Sequence, residues 1–275
     1  MIPPDPKSIP IRPASTAIIL RDGAKGMEVF MVVRHSKMAF ASGAFVFPGG
    51  KVELHDGEFE NPEAAQSSHH RSAQTSSGEG VPGLPFWMAA IRETFEEAGL
   101  ALMRKRGDQN LLGAEEAHRL VEDYRPAILD GNLAFGDLLR KNDLIPATDL
   151  MVHFAHWITP PGRPRRFDTH FFLIAAPVEQ FGVHDGSEVV EGVWTTPAKA
   201  LADTDAGKRI MVPATRLNVT KLAQDGRVED VVERARASQV VTVSPRVEQV
   251  EGGRKLHLPI EAGYGMSELF VPSEG

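Results

Sequence analysis

The sequence predicts a layered α/β fold, with α+β as the alternative. Short runs rich in Val, Ile and Phe alternate along the chain with longer amphipathic runs, and glycine or proline separates many of them. No internal repeat and no clear linker divides the 275 residues. We therefore expect one domain over residues 1–275, with a loop insertion at about 57–85 and a C-terminal extension from about 223.

The first hundred residues predict strands followed by one strong helix. "STAIILRD" and "MEVFMVVRH" have strand composition and flank a glycine-containing turn, and "GAFVFPGGKVEL" predicts a short strand that runs into a glycine turn. Residues 57–85 lose periodicity and are rich in Ser, Gly, Gln and His, which indicates a loop. "FWMAAIRETFEEAGL" then predicts a helix that ends at glycine.

The remaining residues predict a mixture of helices and strands. Residues 114–139 predict two helices with a break near Arg125 and Pro126, because the residue before proline avoids the helical region. "DLMVHFAHWIT" and "FDTHFFLIAA" predict strands around a basic turn, and "VVEGVWTT" predicts another strand. "PAKALADT", "VPATRLNVTKLA" and "RVEDVVERARAS" predict helices, before strand-like runs from about residue 240.

Composition excludes several classes of function. The chain has no cysteine, which removes disulfides, thiolate zinc sites and cysteine nucleophiles, and fits a reducing compartment. The net charge of −7 argues against non-specific nucleic-acid binding. We find neither a signal-peptide core nor an apolar run of membrane-spanning length, so we expect a cytoplasmic protein without membrane contact.

The stretch "RETFEEAGL" concentrates acids on one helical face. At about 100° per residue, Glu93, Glu96 and Glu97 fall within about 100° of each other, opposite the apolar side chains. Clustered like charges destabilise a helix, and only Arg92 is near enough in sequence to offset them. We expect the acids to project outward together and bind a hard divalent cation. The alternative is a solvated surface helix.

These residues and the upstream "GKVELHD" resemble the Nudix hydrolases, which carry G-x5-E-x7-R-E-U-x-E-E-x-G-U with U aliphatic. Gly50 takes the leading Gly, and Asp56 takes the first Glu, with Glu58 as a second candidate. The 35 residues from 57 to 91 replace the seven of the pattern. This interruption resembles the coenzyme A diphosphatase group of the nucleoside-diphosphate-linked moiety X motif 19 type. Closing the longer loop costs only about 1.4 kcal/mol.

The resemblance implies an α/β/α sandwich around a mixed sheet, with extra C-terminal helices and strands. It implies hydrolysis of a nucleotide-diphosphate small molecule with Mg²⁺ or Mn²⁺ as cofactor. Coenzyme A or acyl-CoA leads as substrate; ADP-ribose, NADH and dinucleoside polyphosphates are alternatives, and so is a non-catalytic nucleotide-binding module. A homodimer is compatible with this reading. The implied metal ligands are Gly50, Glu93, Glu96 and Glu97.

The resemblance also suggests residues around the chemistry. Glu93 or Glu97 would serve as base, Glu188 would be a further ligand or base, and Arg92 would orient a carboxylate. Coenzyme A-cleaving relatives carry an Arg-containing signature upstream of "FPGG". Arg34 fits it, but Ala39 stands where an arginine is expected.

Two further groups of residues have weaker signals. Arg165 and Arg166 are candidates for bidentate contacts to substrate phosphate, against a solvated turn as the alternative. His69 and His70 are expected in a solvated loop. His153, His156 and His170 are expected to be sheet residues instead of ligands.

Overall fold

A computed structural model describes residues 9–34, 43–58, 82–176 and 189–273. The strands are β1 Ile11–Gly23, β2 Gly26–Arg34, β3 Phe45–Val46, β4 Gly49–Lys51, β5 Met103–Lys105, β6 Leu144–Pro146, β7 Val152–Ile158, β8 Arg166–Ala175, β9 Val189–Thr195, β10 Thr242–Val243, β11 Arg246–Val250, β12 Gly253–His257 and β13 Glu268–Pro272. The helices are α1 Leu84–Ala98, α2 Ala114–Leu129, α3 Phe135–Lys141, α4 Pro197–Asp205, α5 Pro213–Leu222 and α6 Val228–Ala237.

One mixed sheet of eight strands organises these elements, in the order β10-β7-β8-β1-β2-β3, with β4 paired to β1 and β9 to β2. The long strand β1 is parallel to β8 and antiparallel to β2. Its first part pairs with β4, which places Gly49 opposite Thr16 and Gly50 opposite Ser15. Strand β1 thereby connects the glycine pair to the centre of the sheet.

Both faces of the sheet are buried, which explains the unbroken apolar run in β1. Ala17 and Ile19 belong to one core cluster, which α1, α2 and α3 cover. Ile18 and Leu20 belong to the other, which includes side chains from α4, α5 and α6. Alternate residues of a strand point to opposite faces, so a strand covered on both sides must be apolar throughout. The expected α/β/α sandwich with extra C-terminal elements is confirmed.

Three details differ from expectation. Helix α2 continues through Pro126 to Leu129, and the break before α3 comes later. The reason is tertiary contact: the side chain of Arg125 is buried and bonds to α1, which holds this residue in helical geometry. Gly49 and Gly50 lie in strand β4 and not in a turn. The short pair β5 and β6 was not predicted, because three-residue strands carry too little pattern.

The C-terminal residues are packed against the second core cluster. Tyr264 is buried there, donates a hydrogen bond to Asn218 on α5 and accepts one from the indole of Trp157 on β7. Burial raises the pKa of Tyr264 above its ordinary value. Strands β11, β12 and β13 form a separate antiparallel sheet. Among the described ranges, no helix has the length and apolar character required to cross a bilayer.

Candidate active site

Helix α1 carries the acidic residues and is anchored along its length. It begins after Gly83, with Pro85 in its first turn, where a missing N–H costs nothing. Trp87, Ile91 and Phe95 are buried in the core beneath it. It ends at Gly99, whose φ of 61° is left-handed and whose N–H donates to the carbonyl of Phe95. The last two turns of α1 are therefore held in a fixed position.

The acids do not project into solvent as the sequence suggested. The side chains of Glu93 and Glu96 are only 12% and 19% exposed, and Glu97 is 4% exposed. They lie against strand β4 and around Arg92, which the helical period alone could not indicate. The expectation of an outward-facing cluster was wrong, although the three residues do share one region of the helix.

Glu97 connects the helix to the glycine strand. Its Oε2 accepts a hydrogen bond of 2.9 Å from the backbone N–H of Gly49. Its other oxygen, Oε1, lies 4.0 Å from Nη1 of Arg34, at the end of β2. A hydrogen bond from a backbone N–H to a carboxylate fixes the orientation of the Glu97 side chain.

The position of the Glu93 carboxylate requires a glycine at residue 50, which faces it on β4. A Cβ atom placed on Gly50 would lie 2.5 Å from Oε1 of Glu93, closer than real contacts allow. A Cβ atom on Gly49 would lie 2.3 Å from the backbone oxygen of Ser15. The two glycines therefore allow β4 to fit between β1 and the carboxylates of α1.

Arg92 is the centre of the ion-pair network. Its Nε and Nη2 donate to the two oxygens of Asp56 at 2.8 and 3.1 Å, and Nη2 also donates to the carbonyl of Lys51. Its Nη1 donates to Glu93 and to Glu96, both at 2.9 Å. Burial alone lowers the pKa of Arg92, but its bond to Asp56 and the charges of Glu93 and Glu96 raise it above its ordinary value. Arg92 is thus a buried, permanently charged positioning group.

Asp56 is held from both sides. It accepts the backbone N–H of Glu53 at 2.8 Å, inside a short 3-10 helix, Leu54–Gly57, and it is buried together with Arg92. Glu58, the other sequence candidate for this position, is exposed. The shorter aspartate therefore occupies the place of the motif's first glutamate.

The surroundings of Glu96 alter its acidity. Burial raises its pKa, the charge of Arg92 lowers it, and the nearby Glu53 and Asp56 raise it again, so the net pKa lies above its ordinary value. An additional positive charge beside Glu96 would reverse this shift. The local electrostatics therefore favour binding of a cation.

Arg125 is a residue that sequence reasoning missed. It lies on α2, is buried, and donates from Nε to the carbonyl of Glu96 at 2.8 Å and from Nη2 to the carbonyl of Glu97 at 3.0 Å. These carbonyls are among the last four of α1, which lack helical partners. A cation at a helix C-terminus is also favoured by the helix dipole. No sequence pattern identifies such a contact between two helices.

The donor set fits a hard divalent cation. Carboxylate and backbone carbonyl oxygens are the ligands that Mg²⁺ and Mn²⁺ prefer. The oxygens of Glu93 and Glu96 both contact one nitrogen of Arg92, so they lie no more than twice 2.9 Å apart. Glu93 and Glu97 also contact adjacent glycines of β4. These residues could hold a cation with modest movement of the carboxylates.

The other predicted site residues are less closely associated with this network. Arg34 approaches Glu97, as described. Arg166 is the first residue of β8 and pairs with Ile11 on β1. Ile11 is four residues, about 13 Å, from Ser15 along β1. The Nε of Arg166 donates to the carbonyl of Thr159. Arg165 precedes it and is exposed. Glu188, Ala39, His69 and His70 lie outside the described residues, as does most of the insertion.

The mixed sheet, the glycine strand β4 and the acidic helix α1 are the features expected of a Nudix protein, and the comparison with known families agrees. Residues 57–222 match the family model of the NUDT19 Nudix domain, so the chain belongs to this family of Nudix proteins. It is 25% identical to the acyl-coenzyme A diphosphatase NUDT19 of Gallus gallus over 74% of this chain and 63% of that protein. It is 27% identical to the Homo sapiens protein of the same name, over 76% of this chain and 64% of that protein.

A solved structure supports the fold. The crystal structure of a Nudix hydrolase from Alicyclobacillus acidocaldarius has a TM-score of 0.64 and 25% identity, covering 82% of this chain and 97% of that one. The chain spans less than two thirds of the length of the chicken and human relatives. The expected resemblance to Nudix hydrolases of the NUDT19 type is confirmed.

Proposed function

We propose that this chain hydrolyses a diphosphate bond in a nucleoside-diphosphate-linked small molecule, using Mg²⁺ or Mn²⁺. One observation carries the proposal: Glu97 accepts a hydrogen bond from Gly49, the Glu93 carboxylate occupies the space where a side chain at residue 50 would begin, and Arg92 bonds to Glu93. This arrangement orients carboxylate oxygens beside a strand that has no side chains of its own there. A surface helix with solvated acids would not need such support.

The cation would be held by Glu93, Glu96, Glu97 and the Gly50 carbonyl. When bound, it supplies positive charge to the diphosphate oxygens and lowers the pKa of the attacking water. Glu93 or Glu97 accepts the proton that this water loses, and Glu188 is an alternative acceptor. The water oxygen forms the new bond to phosphorus, and the bridging P–O bond breaks.

Arg34 supports binding of an anionic substrate. Its Nη1 is 4.0 Å from Glu97, and its buried Nε has no hydrogen-bond partner within the part of the chain that is described. A buried donor without a partner costs free energy unless a ligand supplies an acceptor. We infer that a phosphate oxygen of the substrate accepts from Arg34. Arg165 and Arg166 would contact a more distant phosphate.

Coenzyme A or acyl-CoA is the preferred substrate. Support comes from the chicken and human relatives, which are named acyl-coenzyme A diphosphatases. Cleavage would give 3′,5′-ADP and the (acyl-)phosphopantetheine product. ADP-ribose, NADH and dinucleoside polyphosphates are the alternatives, together with nucleotide binding without turnover. The absence of cysteine favours a reducing compartment such as the cytoplasm.

A panel of these substrates with Mg²⁺ or Mn²⁺, followed by product identification, tests the proposal. We expect turnover of coenzyme A or acyl-CoA that is lost in Glu97→Gln. The matched control is Glu115→Gln, an exposed acid at the start of α2, which should leave turnover unchanged. Tight nucleotide binding with no metal-dependent turnover of any substrate would instead establish a binding module.

A further inference from the structure

A single row of paired residues crosses the main sheet from the C-terminal extension to the glycine strand. Thr242 on β10 pairs with His156 on β7, and His156 pairs with His170 on β8. His170 pairs with Ser15 on β1, and Ser15 pairs with Gly50 on β4. Directly paired residues point to the same face of a sheet. The histidines therefore share a face with the acidic network.

That face is covered by the start of helix α1. The Oγ of Ser15 donates to the carbonyl of Phe86, and the rings of His170 and Phe86 contact edge-on with centroids 4.6 Å apart. Two strand spacings, about 10 Å, separate His170 from Gly50 along the row. The histidines form a distinct group beside the opposite end of the same helix.

Three possible ligand atoms converge in this group. Nε2 of His156 lies 2.5 Å from Oδ1 of Asp168, and Nε2 of His170 lies 3.8 Å from the same oxygen. One ligand atom from each of the three residues lies within 4.8 Å of the others. Around a bound Zn²⁺ the ligand atoms would be about 3.3 Å apart, given bonds of about 2.0–2.2 Å. To accommodate an ion, the Asp168 carboxylate must withdraw and the two nearly parallel imidazole rings must tilt until the in-plane lone pairs of both Nε2 atoms point at it.

The second nitrogen of each imidazole already has a partner. Nδ1 of His156 is 2.8 Å from Oγ1 of Thr242, and Nδ1 of His170 is 2.9 Å from Nε2 of His153. Metal-binding histidines usually use their other nitrogen in this way, which fixes the ring's orientation. The rings of His156 and His170 also stack, with centroids 3.9 Å apart and planes 9° apart.

We propose that His156, Asp168 and His170 form a second cation site, selective for Zn²⁺ or a similar ion over Mg²⁺. The donor set of two nitrogens and one oxygen differs from the oxygen-only set on α1. The side chain of Asp168 is 35% exposed, so an ion can enter from solvent and keep a water as its fourth ligand. Entry requires the Asp168 carboxylate to move away from His156, since their direct contact leaves no space for an ion.

The test is metal binding by the full chain, with activity left out of the readout. The protein is dialysed against Zn²⁺ in excess Mg²⁺, and the zinc retained is measured by elemental analysis. We expect one Zn²⁺ per chain, with at least tenfold weaker binding in Asp168→Asn and in His170→Gln. Replacement by Co²⁺ should give the visible absorption bands of a nitrogen-ligated ion.

Two controls separate this site from others. His118→Gln removes a histidine whose side chain is 65% exposed on α2, and Glu97→Gln alters the acidic helix; both should retain zinc. The side chain of Asp168 is 35% exposed, and asparagine has nearly the same shape. Asp168→Asn therefore still tests the site if His170→Gln fails to fold. Absence of zinc from the wild-type chain would overturn the proposal. So would full zinc retention in Asp168→Asn, or loss of zinc only in Glu97→Gln.

Discussion

Asp56 and Arg92, 36 residues apart in the chain, form a buried ion pair with two hydrogen bonds. The pair joins the two halves of the Nudix motif, which the insertion separates in sequence. Arg92 also donates hydrogen bonds to Glu93 and Glu96. The acidic helix is thus aligned with the glycine strand by a long-range contact.

Replacing Asp56 with Ala should destabilise the fold by about 3–5 kcal/mol, because it leaves the charge of Arg92 buried with less compensation. Urea unfolding followed by circular dichroism measures this change. Asp123→Ala, an exposed acid on α2, is the control and should change stability by less than about 0.5 kcal/mol. A similar loss in both variants would show that the pair has no special role.

Gly50→Ala should disrupt metal-dependent turnover more than stability. The added Cβ would meet the Glu93 carboxylate at 2.5 Å and displace it, and a displacement of about 1 Å can cost about 100-fold in rate. Gly57→Ala is the matched control, since its Cβ would meet Pro85 at an ordinary 3.5 Å. Steady-state kinetics and Mg²⁺ titration compare the two. Unchanged kinetics in Gly50→Ala would remove Glu93 from the site.

Arg125→Met should loosen the end of α1, because the carbonyls of Glu96 and Glu97 lose their bonds to the guanidinium. We expect a loss of about 1.5–3 kcal/mol in stability, typical of hydrogen bonds to a charged group, and weaker Mg²⁺ binding. Arg119→Met, an exposed residue on the same helix, serves as control. If Mg²⁺ affinity stayed constant while stability fell, Arg125 would be structural only.

The buried histidines predict loss of stability in acid. In the folded chain the pKa values of His153 and His170 lie near 3 and 2, while the unfolded chain takes up these protons below about pH 6.5. Stability is therefore greatest above about pH 6.5 and falls as the pH drops toward 3. The slope is about 1.4 kcal/mol per pH unit for each histidine. The groups facing them are His156, Asp168 and Lys221.

Urea unfolding between about pH 5.5 and 7 measures this slope, above the range in which most carboxylates titrate in the unfolded chain. The double variant His153→Gln, His170→Gln should show a clearly shallower slope than the wild type. Parallel slopes would mean that other groups cause the acid sensitivity.

Local pattern predicted much of the fold and the choice of acids. The 3.6-residue period placed Glu93, Glu96 and Glu97 together, and Gly99 marked the helix end correctly. The paired apolar runs predicted β1, β2, β7 and β8. These features depend on residues close in sequence, so they can be recognised without tertiary contacts.

Contacts between distant residues could not be predicted in this way. The burial of Glu97 depends on Gly49, and the helix through Pro126 depends on contacts of Arg125 with α1. The grouping of His156 and His170 depends on strand register, which includes an irregularity between His153 and Ala155. Sequence composition predicted that these histidines would lie in strands, but it could not indicate which side chains would meet.

The Asp56–Arg92 pair also has a practical use. Because this contact sets the alignment of helix α1 and strand β4, we expect that alignment to tolerate an insertion between Glu58 and Pro82, outside the 3-10 helix and α1. An epitope tag or a circularly permuted fluorescent reporter grafted there should leave the proposed hydrolysis intact. Such a chimera would offer a handle for imaging or purification close to the catalytic machinery.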